Sequence, residues 1–196
     1  MWHHVETSER ADSFHSMYPY LRLLTTLWKA RRQPALDIDD VSRVAFRAGP
    51  GDIDVFGELN NARQLVFFEL GRWDYSQRVG FIPIMRKKRW GLVVGGASIR
   101  YRRRVPFMQR FTVTTRMLCH DQRWFYFLQE IHRDDQVCSS GLLKAGVTSR
   151  DGLVPAGEVA AAMGQPDWGN QIPPWVQAWI DAEGQRPWPS QNSGGK

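Results

Sequence analysis

The residue types best suited to chemistry lie in one stretch, from Asp52 to Arg72. It opens with carboxylates and a glycine, passes through paired asparagines, and runs into an apolar segment that continues to Gly80. A carboxylate can activate water or attack a carbonyl directly, and free amides at a helix N-terminus can hold the charge that develops on the carbonyl oxygen. Asp54 is the candidate for the first task. The backbone around Asn60 and Asn61 is the candidate for the second, since the helix dipole favours an anion there. The same residues also suit purely structural work, Asp54 as a turn residue and Asn60 as an N-cap, and spacing alone favours those roles. Glu58 adds a second carboxylate four residues after Asp54, close enough for like-charge repulsion or free to face solvent. Glu69 follows on the helix one turn from Leu65, Val66 and Trp73. That points it into apolar surroundings, with Arg72 or Arg63 available to compensate, and an ordinary helix salt bridge fits equally well.

The elements that must position these groups can be read from pattern. With Asn60 as cap, a helix is expected from Asn61 to about Arg78, roughly 27 Å long at about 1.5 Å per residue. Leu65, Val66, Phe67, Phe68, Leu70 and Trp73 leave hardly any of its sides polar, so a sheet is expected to wrap it. Strands are expected over 41–46, 90–101, 111–119, 124–131 and 137–149, separated by Ala48-Gly-Pro-Gly51, Asp121-Gln-Arg and Asp134-Asp135. Gly95 and Gly96 inside the second of these mark a bulge or the close passage of a helix or ligand arm. The sum is an α+β arrangement, about five antiparallel strands around one long helix. Its exposed edges make a homodimer, or a dimer of dimers, the economical assembly.

The spacing Asp54-x-x-Gly57-x-x-Asn60-Asn61, then Phe67-Phe68-Glu69-x-x-Arg72, resembles the hot-dog acyl-CoA thioesterases of the 4-hydroxybenzoyl-CoA thioesterase type. Within that family the likeness is to the thioesterase-superfamily-member-6-like branch, which also has the patterns present here as Ile99-Arg-Tyr, Arg110-Phe-Thr-Val, Trp124-Phe-Tyr and Leu143-Lys-Ala-Gly. The resemblance covers about Asp39 to Pro155. It implies a hot-dog fold, acyl-CoA hydrolysis without metal or redox cofactor, Asp54 at the catalytic-carboxylate position, and an oxyanion donor among the amides at Asn60 and Asn61. Other hot-dog thioesterases carry the catalytic glutamate on the helix, which keeps Glu69 behind Asp54 as the second candidate, with Glu58 in reserve. Gly57, Trp73, Arg102 and Arg103 are the candidate substrate contacts, the two arginines for the phosphates of coenzyme A. One departure stands out: family members commonly have a histidine after the glycine, and this chain has Glu58. That departure is the main support for the alternative, a non-catalytic acyl-CoA-binding or scaffold protein.

Composition narrows the rest. The chain has 196 residues, 42% of them hydrophobic, which fits one domain with tails. We divide it into an N-terminal tail with an amphipathic segment (1–38), the thioesterase-like domain (39–155), and a helical appendage with a polar tail (156–196). A net charge of +6 favours anionic partners, among them coenzyme A, an acidic acyl carrier, an anionic membrane or nucleic acid. Nucleic acid is set aside because no recognition motif accompanies the charge. Two cysteines, Cys119 and Cys138, make neither a disulfide framework nor a zinc site, and a reducing, cytoplasmic location is expected. The N-terminus lacks a basic-then-apolar leader, and no apolar run is long enough for a membrane span. Tyr18 to Arg32 is amphipathic and basic at its end. It is expected to pack on the domain, with contact to a membrane surface as the other use. Residues 1–16 read as disordered, and the appendage tryptophans as cover for the core.

Overall fold

In the computed structural model, residues 19–187 are described. The expectations for residues 1–16, for Tyr18 and for the polar tail from residue 188 fall outside them. The central helix, α2, runs Asn61–Arg78 as its pattern predicts, and Asn60 caps it by accepting hydrogen bonds from the N–H groups of Ala62 and Arg63. Before it come helix α1 (Tyr20–Ala30) and strand β1 (Ser42–Arg47). After it come helix α3 (Phe81–Lys88) and strands β2 (Gly91–Tyr101), β3 (Arg110–His120), β4 (Phe125–Arg133), β5 (Gln136–Ser149) and the short β6 (Gly152–Val154). Helices α4 (Ala156–Ala162) and α5 (Pro174–Gln185) complete the described chain.

The strands form one antiparallel sheet in the order β1-β3-β4-β5-β2, with β6 folded back on β5. The sheet packs around α2, which gives the hot-dog arrangement that the resemblance implied. Phe67, Phe68 and Leu70 of α2 meet Phe111, Val113 and Ile131 of the sheet in one core cluster, while Tyr75 joins a second with Met117, Phe125, Phe127 and Val147. Close approach is possible because Gly71 faces β3: a Cβ there would lie 2.6 Å from Thr115 Oγ1 and 3.0 Å from Val113 Cγ1. Burying Phe67, Phe68 and Leu70 stabilises the fold by about 1.5–3 kcal/mol each.

The register of β2 on β5 shifts between Val94 and Gly96, so the glycine pair marks a bulge. A Cβ on Gly95 would come within 2.6 Å of the Trp124 ring, so the close neighbour at that glycine is an indole. α5 lies over the sheet beside Tyr126, Cys119 and Leu142, with Val176 buried among them and the Trp179 ring edge-on to Tyr126. α1 packs against α2 through Leu23, Thr26 and Ala30 and leaves Tyr20, Leu21, Leu24 and Trp28 exposed. Among the described residues, no helix is long and apolar enough to cross a membrane.

Candidate active site

Two regions carry the candidate groups, and one strand links them. The first is the corner before α2. Ile53 and Leu59 bridge each other, Gly57 N–H bonds back to Asp54 C=O at 3.1 Å, and Gly57 takes a φ of 74° that a side chain would strain. Within this turn Asp54 Oδ1 accepts from Phe56 N–H at 2.9 Å and from Glu58 N–H at 3.4 Å. Asp54 therefore does hold the turn through Oδ1, and its Oδ2 has no hydrogen-bond partner among the described residues. Gly57 sets the turn's geometry, and its carbonyl accepts from Phe107 N–H. Glu58 is half-buried, its backbone bridged to Pro106.

The start of α2 shows which amide is free. Gln64 N–H bonds to Asn60 C=O, Ala62 and Arg63 give theirs to the Asn60 side chain, and Asn60 N–H bonds to Asp52 C=O at 2.9 Å. Among the described residues this leaves the Asn61 N–H without an acceptor at the positive end of an 18-residue helix. The Asn60 side chain is spent on capping, so its contribution is to fix that geometry.

Beneath the corner sits a residue whose importance the sequence pattern hides. Asp52 is buried and accepts from Arg22 of α1 at 2.7 and 2.8 Å, from Gly49 N–H at 2.9 Å and from Arg63 at 3.2 and 3.3 Å. Burial pushes its carboxyl up, but the Arg22 and Gly49 hydrogen bonds, together with Arg63, overcome that and hold it below the ordinary value. Arg63 thus belongs to Asp52, which leaves Arg72 as the cation nearest Glu69 in sequence on α2.

The second region is a cavity of about 260 Å³ between the later turns of α2 and the β2 side of the sheet. Glu69, Arg72 and Trp73 line it on the helix side, and Leu92, Val93 and Val94 on the edge strand. Arg72 is held by Gln129 Oε1 at 2.6 Å; the Gln129 amide in turn donates to Phe68 C=O and Thr115 Oγ1. The sequence reading missed Gln129, since a lone polar residue on an apolar strand gives little signal. Glu69 lies eight residues beyond Asn61, roughly 12 Å along the helix. Within one chain the two candidate carboxylates, Asp54 and Glu69, are therefore not neighbours.

β2 spans the two regions. Its first residues line the cavity, and its last, Tyr101, reaches the Asn61 carbonyl with its hydroxyl at 3.5 Å. Arg102 and Arg103 follow, exposed, with both backbone N–H groups on Cys138 C=O. The cysteines offer no alternative nucleophile. Burial, then Asp121, pushes the Cys119 thiol up to about 11, and burial raises Cys138 as well.

Comparison with known proteins follows the same line. The model of the thioesterase-like superfamily matches residues 48–180. The chain is 23% identical over 167 residues to "Protein THEM6" of Drosophila melanogaster, a match that spans 83% of this chain and 84% of that protein. It is 31% identical over 113 residues to "Protein THEM6" of Xenopus laevis, covering 56% of this chain and 54% of that one. In structure it resembles YbaW, a probable thioesterase from Escherichia coli, with a TM-score of 0.58, 23% identity, and 63% and 96% of the two chains covered. That last likeness shows the shared fold.

Proposed function

The chain belongs to the thioesterase-like superfamily, and from that premise we propose that it hydrolyses the thioester of an acyl-CoA, or of an acyl carrier presenting the same pantetheine arm. Asp54 acts as the base that takes a proton from the attacking water. The Asn61 N–H receives the oxyanion, and the thiolate leaves as free thiol once protonated. The observation that carries this reading is the single unpaired amide at the α2 N-terminus, at the end of the turn that holds Asp54, whose Oδ2 has no hydrogen-bond partner among the described residues.

We propose further that the working form is a homodimer built on β2. This strand is one of the two edges of the sheet, and antiparallel pairing with its own copy about its middle sets residues 92–94 of one chain opposite residues 98–100 of the other. Since Tyr101 touches Asn61 of its own chain, each cavity mouth then faces the Asp54 corner of the partner subunit. The acyl group enters one chain's cavity past Glu69 and Trp73, while the thioester lies at the other chain's helix N-terminus. Arg102 and Arg103 extend from that corner toward the phosphates of coenzyme A. The outer face of α1, with Tyr20, Leu21, Leu24 and Trp28 ahead of Lys29, Arg31 and Arg32, is the surface that would touch a membrane.

The test is thiol release from a panel of acyl-CoAs by the wild type, Asp54→Asn and Glu69→Gln. Asp54→Asn is expected to lower kcat by roughly 10²–10⁴-fold with the fold intact. Loss confined to Glu69→Gln would move the base onto the helix. A wild type that binds acyl-CoA but releases no thiol would identify an acyl-binding module instead, the reading that Glu58 in place of histidine favours.

A further inference from the structure

We propose that Tyr101 is a catalytic residue whose hydroxyl joins the Asn61 N–H as a second donor to the oxyanion; this deepens the thioesterase reading and rests on it. A tetrahedral oxyanion is normally held by more than one donor, and the polar side chains that follow Asn61 in the first turn of α2 are spent elsewhere. Arg63 is bound to Asp52. The Gln64 amide donates to Leu59 C=O at 3.3 Å and to Asn61 Oδ1 at 3.5 Å. Tyr101 arrives from β2, as its last residue, and its hydroxyl donates to Asn61 C=O at 3.5 Å. That is long against the usual roughly 2.5–3.0 Å of an O–H···O bond, and the same carbonyl serves Leu65 N–H in the helical ladder. The hydroxyl is thus placed beside the amide without being committed to its present acceptor.

Reach and protonation both fit the role. Three bonds separate a residue's nitrogen from its carbonyl oxygen, a span under about 4 Å, so Tyr101 Oη stands within roughly 7.5 Å of the Asn61 nitrogen. Two donors that share one oxygen at about 3 Å each stand up to about 6 Å apart. The side chain is 46% exposed, and a rotation about its bonds covers the difference. Contacts of this kind commonly tighten only when substrate is bound. Partial burial raises the hydroxyl above the ordinary tyrosine value, which keeps it an O–H donor at neutral pH. In the proposed edge pairing Tyr101 also lies where its own corner meets the mouth of the partner's cavity. Tyr101 keeps its proton throughout the reaction. The oxygen of water bonds to the carbonyl carbon as its proton passes to Asp54, and the C=O pair moves onto the oxygen that Asn61 and Tyr101 hold. When that pair returns, the C–S bond breaks, its electrons leave on sulfur, and sulfur takes the proton from Asp54.

The experiment uses Tyr101→Phe, which removes only the hydroxyl, and reads two quantities. Thiol release from butyryl-, octanoyl-, benzoyl- and palmitoyl-CoA is expected to show kcat lowered by roughly a hundredfold and KM unchanged within about twofold. Infrared spectroscopy then follows the thioester C=O of whichever of these binds best, held on whichever of Asp54→Asn and Glu69→Gln stops turnover. Its stretch is expected to lie below that of the free thioester and to move back toward it when Tyr101→Phe is added. An unchanged kcat in Tyr101→Phe overturns the proposal and leaves the hydrolase reading standing. A slower variant whose bound carbonyl stretch does not move also overturns it, since the hydroxyl would then only pin β2 to α2. If the wild type releases no thiol, the hydrolase reading fails on its own, and the stretch measured on wild type and Tyr101→Phe decides. A stretch that moves with the loss of the hydroxyl supports the second donor, and an unmoved stretch, or no binding of any of the four, overturns it.

Discussion

Asp52 is 1% exposed yet remains charged, because Arg22 closes on it with two hydrogen bonds while the Gly49 amide and Arg63 take up its remaining acceptor sites. Its backbone carbonyl holds the Asn60 amide, so one residue fixes both the docking of α1 and the start of the helix that presents Asn61. Removing Arg22 leaves a buried carboxylate with one cation fewer, a loss of about 2 kcal/mol of stability at neutral pH. The sign of its pH dependence follows from the lowered carboxyl: the stabilisation is present above the ordinary value of 3.8 and is lost as pH falls through the lower folded value. Denaturation of Arg22→Ala beside the wild type should therefore show a gap at pH 7 that closes in strong acid. A gap that stays constant with pH would mean that Arg22 acts by packing on Phe67, 5.1 Å beneath it, and not by charge. Asp74 has the opposite sign. Burial raises its carboxyl despite the Ser42 hydroxyl at 2.6 Å and Arg78 nearby, so its cost appears as pH rises through its folded value. Asp74→Asn, which keeps an acceptor for Ser42, is expected to stabilise the protein at pH 7 and to lose that advantage below the ordinary Asp range, as read from melting temperature against pH.

At the scale of elements, the packing of α2 on the sheet turns on Gly71. Replacing it with alanine gains about 1 kcal/mol of helix propensity. The new Cβ, however, would meet Thr115 Oγ1 at 2.6 Å and Gln129 Nε2 at 3.2 Å, inside the network that also holds Arg72. Overpacking of this kind costs about 1–3 kcal/mol, so the expected net result of Gly71→Ala is a loss of up to about 2 kcal/mol in chemical denaturation. Thr115→Ala in the same background should recover part of it, and strict additivity would exclude that contact as the cause. The sequence made α2 legible because its asparagine cap and apolar run act locally, and the strands because alternation acts at period two. It did not announce α3, where Pro83 reads as a breaker. Pro83 lies in the first turn of Phe81–Lys88, where its missing N–H breaks no helical hydrogen bond. Nor did it announce the Asp52 cluster, whose partner Arg22 lies 30 residues away in sequence, or the cavity, whose lining comes from three helices and four strands. Such sites are properties of packing, and no single window of sequence contains them.

The whole molecule poses a question of reach. Asp54 and the Asn61 amide stand at one end of α2, the cavity opens beside Glu69 roughly 12 Å further on, and a thioester cannot bridge that gap while its acyl group lies in the same chain's pocket. The proposed edge pairing through β2 would remove the difficulty by setting one chain's corner against its partner's cavity, and on that proposal assembly and activity should fail together. Ala97 lies exposed near the middle of the strand, away from the residues that line the cavity and from Tyr101. An aspartate there would lie diagonally across the two-fold axis from its own copy, on the same face of the joined sheet, where like charges oppose pairing. Ala97→Asp is expected to halve the mass measured by light scattering, leave the far-ultraviolet spectrum unchanged and lower thiol release by at least roughly a hundredfold, the scale on which displaced catalytic groups are felt. A monomeric variant that keeps its turnover would show that each chain is complete in itself. The shared site would then fall, and Glu69, the carboxylate that lines its own chain's cavity, would take over from Asp54 as the base.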